Sequence, residues 1–166
     1  METTAQPQRQ RAGMRKILLA SDLSPVSAAA TDEAFAVAGR LGAELLVVSV
    51  IDPRGLRLPG GAYFTRVDQL RARREVAAQA LVRRGRDSRV RVTFLVWEGE
   101  PGEAILEAAA AEDADMIILG THGRGPLGRL ILGSVSRRVQ RDARVPVVIV
   151  APRAAMPNPS GLPPSR

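Results

Sequence analysis

Cysteine is absent from this chain and histidine occurs once, which excludes disulfides, thiolate nucleophiles and cysteine-ligated metals and leaves too few ligands for a zinc site. Aromatic residues are scarce too, with one Trp, one Tyr and three Phe. A nucleic-acid face pairs Lys/Arg clusters with stacking aromatics, so the net charge of +7 has to be located before it is read as such a face. Arg9, Arg11, Arg15 and Lys16 against Glu2 lie at one end and Arg153 and Arg166 at the other, so five of the seven net charges sit outside the expected core. No nucleic-acid partner is expected. No apolar run approaches the length that crosses a bilayer, and the N-terminus is polar without an apolar signal core, so no membrane partner is expected and the chain reads as cytoplasmic. No G-x-x-x-x-G-K-[ST] occurs, which excludes a P-loop NTPase.

What remains is a chain of 166 residues with 45% apolar content, suited to one core. Residues 1–13 are polar without a periodic face and are expected to be a disordered lead. Residues 14–151 form the expected domain, and 152–166, rich in proline, the expected disordered tail.

Within the domain, short apolar runs alternate with helical patterns. Ile17-Leu18-Leu19-Ala20 suits a strand buried on both faces of a parallel sheet. Ser24-Pro25 opens a helix whose Ala30, Ala34, Val37, Ala38 and Leu41 share a face, with Gly42 as its stop. Leu45–Val50 is a second strand, and 54–64 reads as a mobile loop. The next helix turns Val67, Leu70, Ala77, Ala80 and Leu81 inward and sets Arg71, Arg73, Arg74, Arg83 and Arg84 on a solvated face. Val90–Val96 alternates as a half-exposed edge strand does, and a helix from Gly99-Glu100-Pro101 follows through Ile105, Leu106 and Ala109. Met116–Gly120 is the fourth strand, a short helix begins at Ser134, and Val145–Val150 is the fifth strand, with Pro146 placed at a strand start or an edge. The order βαβαβαβαβ predicts an α/β fold: a five-stranded parallel sheet of order 3-2-1-4-5, helices on both faces, Rossmann-like. Ligands bind such sheets where the winding reverses, between strands 1 and 4.

The stretch after strand 4 chooses the same place. Gly120, Gly123, Gly125, Gly128 and Gly133 fall within fourteen residues, between an apolar strand and a helix start. Glycine lets a ligand approach without a Cβ in the way, and a helix start offers free N–H groups and partial positive charge to an anion. A phosphate-bearing ligand follows. Gly123-Arg-Gly125-Pro-Leu-Gly128 fits G-x-G-x-x-G literally, but it follows the fourth strand, contains Pro126 and has no acidic residue at the next strand end, so a dinucleotide site is not expected.

A more specific spacing is Gly120-x2-Gly123-x9-Gly133-Ser134, together with Ala20-Ser21-Asp22-Leu23-Ser24, Val50-Ile51-Asp52, Gly99-Glu100-Pro101 and Val145-Pro146-Val147. With these elements spread over residues 14–151, the chain resembles the universal stress protein family, in its ATP-binding subclass, whose fold is adenine nucleotide alpha hydrolase-like. The resemblance implies that Asp22 and Val50 contact adenine, that Gly120 and Gly123 let the backbone approach ribose and phosphates, and that Gly133, Ser134, Val135 and Ser136 donate to phosphates. Ala20, Ser21 and Leu119 complete the expected nucleotide-binding set at the strand ends. His122 either touches ribose or phosphate or faces solvent, and Arg124 and Arg129 are close enough in sequence to pair with phosphate oxygens. Asp22 and Ser134 have a second reading, as helix caps.

No general base is evident for a γ-phosphate, and no carboxylate pair fixes Mg²⁺ beyond Asp22, so no catalytic or metal-binding residue is assigned. The expected ligand is ATP, with or without Mg²⁺, held rather than turned over, with hydrolysis slow at most. The resemblance implies a homodimer, joined through the fifth strand, acting as a stress-response switch. The alternative is a module of the same fold that binds an unidentified protein partner and no nucleotide.

Overall fold

The structure, a computed structural model, describes residues 13–56, 63–121 and 132–152. Five strands, β1 (Lys16–Ala20), β2 (Glu44–Ile51), β3 (Val92–Glu98), β4 (Met116–Gly120) and β5 (Val147–Val150), alternate with four helices. The helices are α1 (Ala28–Leu41), α2 (Tyr63–Ser88), α3 (Pro101–Ala111) and α4 (Ser134–Asp142). All neighbouring strands are parallel, in the order β3-β2-β1-β4-β5, as the alternation of strands and helices predicts. β1 is central, with Ala20 opposite both Val48 and Leu119.

The period of two in β1 makes two cores from one strand. Ile17 and Leu19 face α1 with Leu45, Val47 and Ile118, while Leu18 and Ala20 face α3 and α4 with Leu46, Val48, Ile117 and Leu119. Ala30, Ala34 and Ala38 recur at four-residue spacing, and their small side chains bring α1 close to the sheet beside Phe35. Gly42 ends α1 at φ +61°, and the N–H groups of Gly42 and Ala43 return to the Ala38 carbonyl, the latter at 2.9 Å. At the amino ends of the central strands, one Asp115 carboxylate oxygen accepts from the Arg15 and Lys16 amides at 2.8 and 3.0 Å, and the Asp115 amide donates to the Lys16 carbonyl at 2.8 Å.

Several local expectations are corrected. A turn of 3₁₀ helix over Pro25–Ser27 precedes α1, so Pro25 opens that turn rather than the α-helix. Leu41, the last residue of α1, is 49% exposed rather than on the inward face. Pro53–Leu56 is 3₁₀ helix, and Tyr63 and Phe64 already belong to α2, so the expected 54–64 loop is shorter; residues 57–62 lie outside the described set. On α2, Ala80 is exposed and Ala78 buried. The inward stripe passes through Val67, Arg74, Ala78, Leu81 and Gly85, a helical repeat that includes one arginine and one residue without a side chain. The arginine face is only partly solvated: Arg71 pairs with Glu98, and Arg84 pairs with Asp32 at 2.8 Å while lying 4.3 Å from the centre of the Phe35 ring. β3 runs two residues later than expected, to Glu98, and all but its last residue are half-buried, at one edge of the sheet.

Candidate functional site

Where β1 and β4 end side by side, the chain leaves them in opposite directions, β1 toward α1 and β4 toward α4, and a cleft opens between the two exits. Its floor comes from strand ends: Ala20, Val48, Val50 and Leu119. Its walls come from Ser24, Val26 and Ser27 on one side and from Pro101, Ile105, Val135 and Ser136 on the other. Ser21, Asp22, Gly120 and Thr121 line the rim between them. The cleft holds about 190 Å³, below the roughly 300–1,000 Å³ that encloses a whole drug-sized ligand. It therefore takes a ring system and leaves the remainder of a longer ligand to run outward.

The exit from β1 is held by serine hydroxyls. Leu23, at φ +61°, donates its amide to Ser21 Oγ at 3.0 Å; Ser21 Oγ donates to Ser27 Oγ at 2.9 Å, and Ser27 Oγ to the Ser24 carbonyl at 2.8 Å. The Ser24 amide donates to Asp22 Oδ1 at 3.0 Å, so Asp22 turns the chain without entering a helix cap. Ser24 precedes the 3₁₀ turn as its cap but makes no side-chain capping bond.

The far wall is set by α3 and α4. Glu100 caps α3, accepting from the Glu103 amide at 3.0 Å, with Pro101 at the first helical position. Arg138 of α4 donates to Glu100 Oε2 at 2.7 Å and clasps the two helices together. Gly102 makes the fit possible, because a Cβ there would come within 2.8 Å of Arg138 Cδ. Burial alone would raise the Glu100 carboxyl, but the Glu103 and Gly102 amides and the Arg138 guanidinium outweigh it and hold the group below its ordinary range. Gly133 precedes α4 and has no side chain with which to cap the first-turn amides. Ser136, 1% exposed, donates its hydroxyl to the Gly120 carbonyl at 3.1 Å and ties the start of α4 to the end of β4.

Of the residues singled out from sequence, Ala20, Ser21, Asp22, Val50, Leu119, Gly120, Val135 and Ser136 come together around this cleft. Gly133 and Ser134 stand at the start of α4, beside the cleft but not on its surface. His122, Gly123 and Arg124, with Gly125, Gly128 and Arg129, lie outside the described residues. Sequence reasoning passed over Val48, Thr121, Ile105 and Val26. Val48 lies two residues before Val50 on the same face of β2, which is the signal that would have found it. Arg74 is a further omission: its guanidinium reaches from α2 to the end of β2 and donates to Ser49 Oγ at 2.7 Å and to the Val50 carbonyl. Burial pulls that guanidinium below its ordinary value, with the Asp22 carboxylate opposing the shift. Among the described residues, no three His, Cys, Asp or Glu side chains gather as metal ligands, and no helix is long and apolar enough to cross a membrane.

These features define a doubly wound α/β protein with a ligand-sized crevice at the point where its winding reverses. The chain belongs to the universal stress protein family: the model of that family matches residues 13–151. A universal stress protein of Thermus aquaticus is 40% identical over 138 residues, which are 82% of this chain and 98% of that relative. Among solved structures, the hypothetical protein MJ0577 of Methanocaldococcus jannaschii superposes with a TM-score of 0.75 at 25% identity, over 87% of this chain and 100% of that one. The universal stress protein of Archaeoglobus fulgidus in complex with dAMP superposes with a TM-score of 0.59 at 22% identity, over 82% of this chain and 97% of that one, a likeness of fold.

Proposed function

We propose that the chain is a nucleotide-dependent regulatory protein that binds ATP in this cleft and hydrolyses it slowly at most. The observation that carries the reading is the joining of two features at one point: a base-sized apolar cleft between the ends of β1 and β4, and an α4 start preceded by Gly133, which has no side chain to cap it. The first suits a planar ring, and the second suits an anion. In this reading the base lies against Val48, Val50 and Leu119, with Asp22 and the Val50 backbone at its polar edge. Gly120 and Gly123 admit the ribose and phosphates, and His122 and Arg124 approach the same groups. The N–H groups of Gly133, Ser134, Val135 and Ser136 meet the phosphates. That the Archaeoglobus fulgidus protein of this fold is in complex with dAMP supports an adenine nucleotide as the ligand class. Mg²⁺, where present, is carried by the phosphates, since metals of this kind are commonly held by one or two carboxylates plus substrate phosphates.

The reading extends to a homodimer in which the β5 edge pairs with its twin, in the cytoplasm, with residues 14–151 as the folded domain. A strand edge is a template for such pairing. The test is thermal unfolding with ATP and Mg²⁺. At a hundred times its Kd, ATP adds about 2.7 kcal/mol, or roughly 5–10 °C for a domain of this size. Gly123→Val abolishes the shift by placing a branched side chain in the phosphate path. An unchanged melting temperature at millimolar ATP would refute the proposal.

A further inference from the structure

We infer that Arg74 determines which purines the cleft accepts, by setting a donor beside the acceptor at the end of β2; the inference rests on the reading of the cleft as a purine-nucleotide site. Along a parallel strand, main-chain groups bond alternately to one side and the other. Val48 gives its carbonyl to the Ser21 amide across to β1 at 3.0 Å, and Ile51 gives its carbonyl to Gly99 on the opposite side at 3.1 Å. Val50, two residues past Val48, therefore aims its carbonyl to the β1 side. There β1 has already turned away through Ser21 and Asp22, and the cleft begins. An unpaired carbonyl in that position is the natural partner for a donor on a base edge, such as the 6-amino group of adenine.

One of that carbonyl's two lone pairs is already engaged. Arg74 donates to it and, through the same nitrogen, to Ser49 Oγ, a hydroxyl with no exposure. The guanidinium is half-buried, and its Nε is buried with no hydrogen-bond partner among the described residues. A group with five donors and no acceptor capacity now stands at the corner where an acceptor would be read. A 6-amino purine has to share the Val50 carbonyl with the guanidinium, whereas a 6-oxo purine brings an oxygen that can accept from the donor beside it. The chain thus tolerates a 6-oxo base that a bare Val50 carbonyl would reject, and it binds ATP more weakly than the shape of the cleft allows.

The test measures the affinities of ATP and inosine triphosphate by calorimetry for the wild type, Arg74→Met and Arg74→Lys. Far-UV circular dichroism and nucleotide-free melting show that each variant is folded. Arg74→Met removes the donors and shifts the ATP-to-inosine-triphosphate affinity ratio about tenfold toward ATP, the size expected when a charged hydrogen bond no longer competes. Arg74→Lys keeps a donor and stays near the wild-type ratio. A purely structural role for Arg74 would weaken both nucleotides together. Binding of both with a ratio that Arg74→Met moves by less than about threefold, or moves toward inosine triphosphate, overturns this inference and leaves the nucleotide reading intact. Absence of binding by every protein overturns both.

Discussion

Replacing Gly85 with alanine should destabilise the protein, although the same change elsewhere in its helices should stabilise it. Alanine is favoured over glycine in a helix by about 1 kcal/mol, because glycine loses more backbone freedom on folding. At Gly39, an exposed position in α1, the added methyl would find one neighbour, Val90 Cγ2 at 3.8 Å, which is ordinary contact. Gly39→Ala should therefore gain about 0.5–1 kcal/mol. At Gly85, on the buried side of α2, the methyl would lie 2.5 Å from Val92 Cγ2 and 2.6 Å from the Val90 carbonyl oxygen, well inside the 3.4 Å at which ordinary contact begins. The carbonyl belongs to the chain that leads into β3, and Gly85 returns its own carbonyl to the Val90 amide at 2.9 Å, so neither side yields by rotating a bond. Overpacking of this kind costs about 1–3 kcal/mol, and near the end of α2 the propensity gain is small, leaving a net loss of about 1–2 kcal/mol. In thermal unfolding this is a drop of roughly 3–8 °C for Gly85→Ala, against a rise of a few degrees for Gly39→Ala. A Gly85→Ala protein as stable as the wild type in both thermal and urea unfolding would refute the close approach of α2 to β3.

Two further substitutions separate support of the cleft from contact with its ligand. Ser136→Ala should cost about 1 kcal/mol in urea unfolding through loss of the bond to the Gly120 carbonyl, while ATP affinity stays within about threefold, because the main-chain N–H remains; a large loss of affinity with stability intact would show that the hydroxyl itself meets the ligand. For Glu100 the sign follows from its lowered carboxyl: the ionised form is favoured in the folded state, so it contributes stability above the unfolded carboxylate range, which is lost as pH falls through the folded value. Glu100→Gln should flatten the decline of melting temperature from pH 5 downward, and a variant whose acid decline matches that of the wild type would count against the clasp with Arg138.

The sheet was legible because its cues are local. Runs such as Ile17–Ala20 and Leu45–Val50 are too apolar and too short for anything but buried strands, and Gly42 marks a helix end by its left-handed conformation. α2 was harder, because its inward stripe contains Arg74, which periodicity counts as solvent-facing, and Gly85, which has no side chain to count. The cleft shows the same limit. Asp22, Gly120 and the serines stand out by type, but Val48 and Ile105 look like any core residue. Hydrophobic pattern says that a side chain avoids water; it does not say that one strand end will lack a neighbour to cover it. That information lies in the strand order, which the alternation of elements supplied without the side-chain detail.

The Asp115 carboxylate, shared by the Arg15 and Lys16 amides, has a bearing on how any ligand is felt by the rest of the molecule. It rivets β1 to the approach of β4 at the foot of both strands, and the pairing continues from there to Ala20 opposite Leu119 at their tops. A ligand seated above that seam rests on two strands already stitched together from foot to top. Whatever such a ligand moves therefore lies beyond the seam, in the exits toward α1 and α4, while the seam itself serves as a fixed floor.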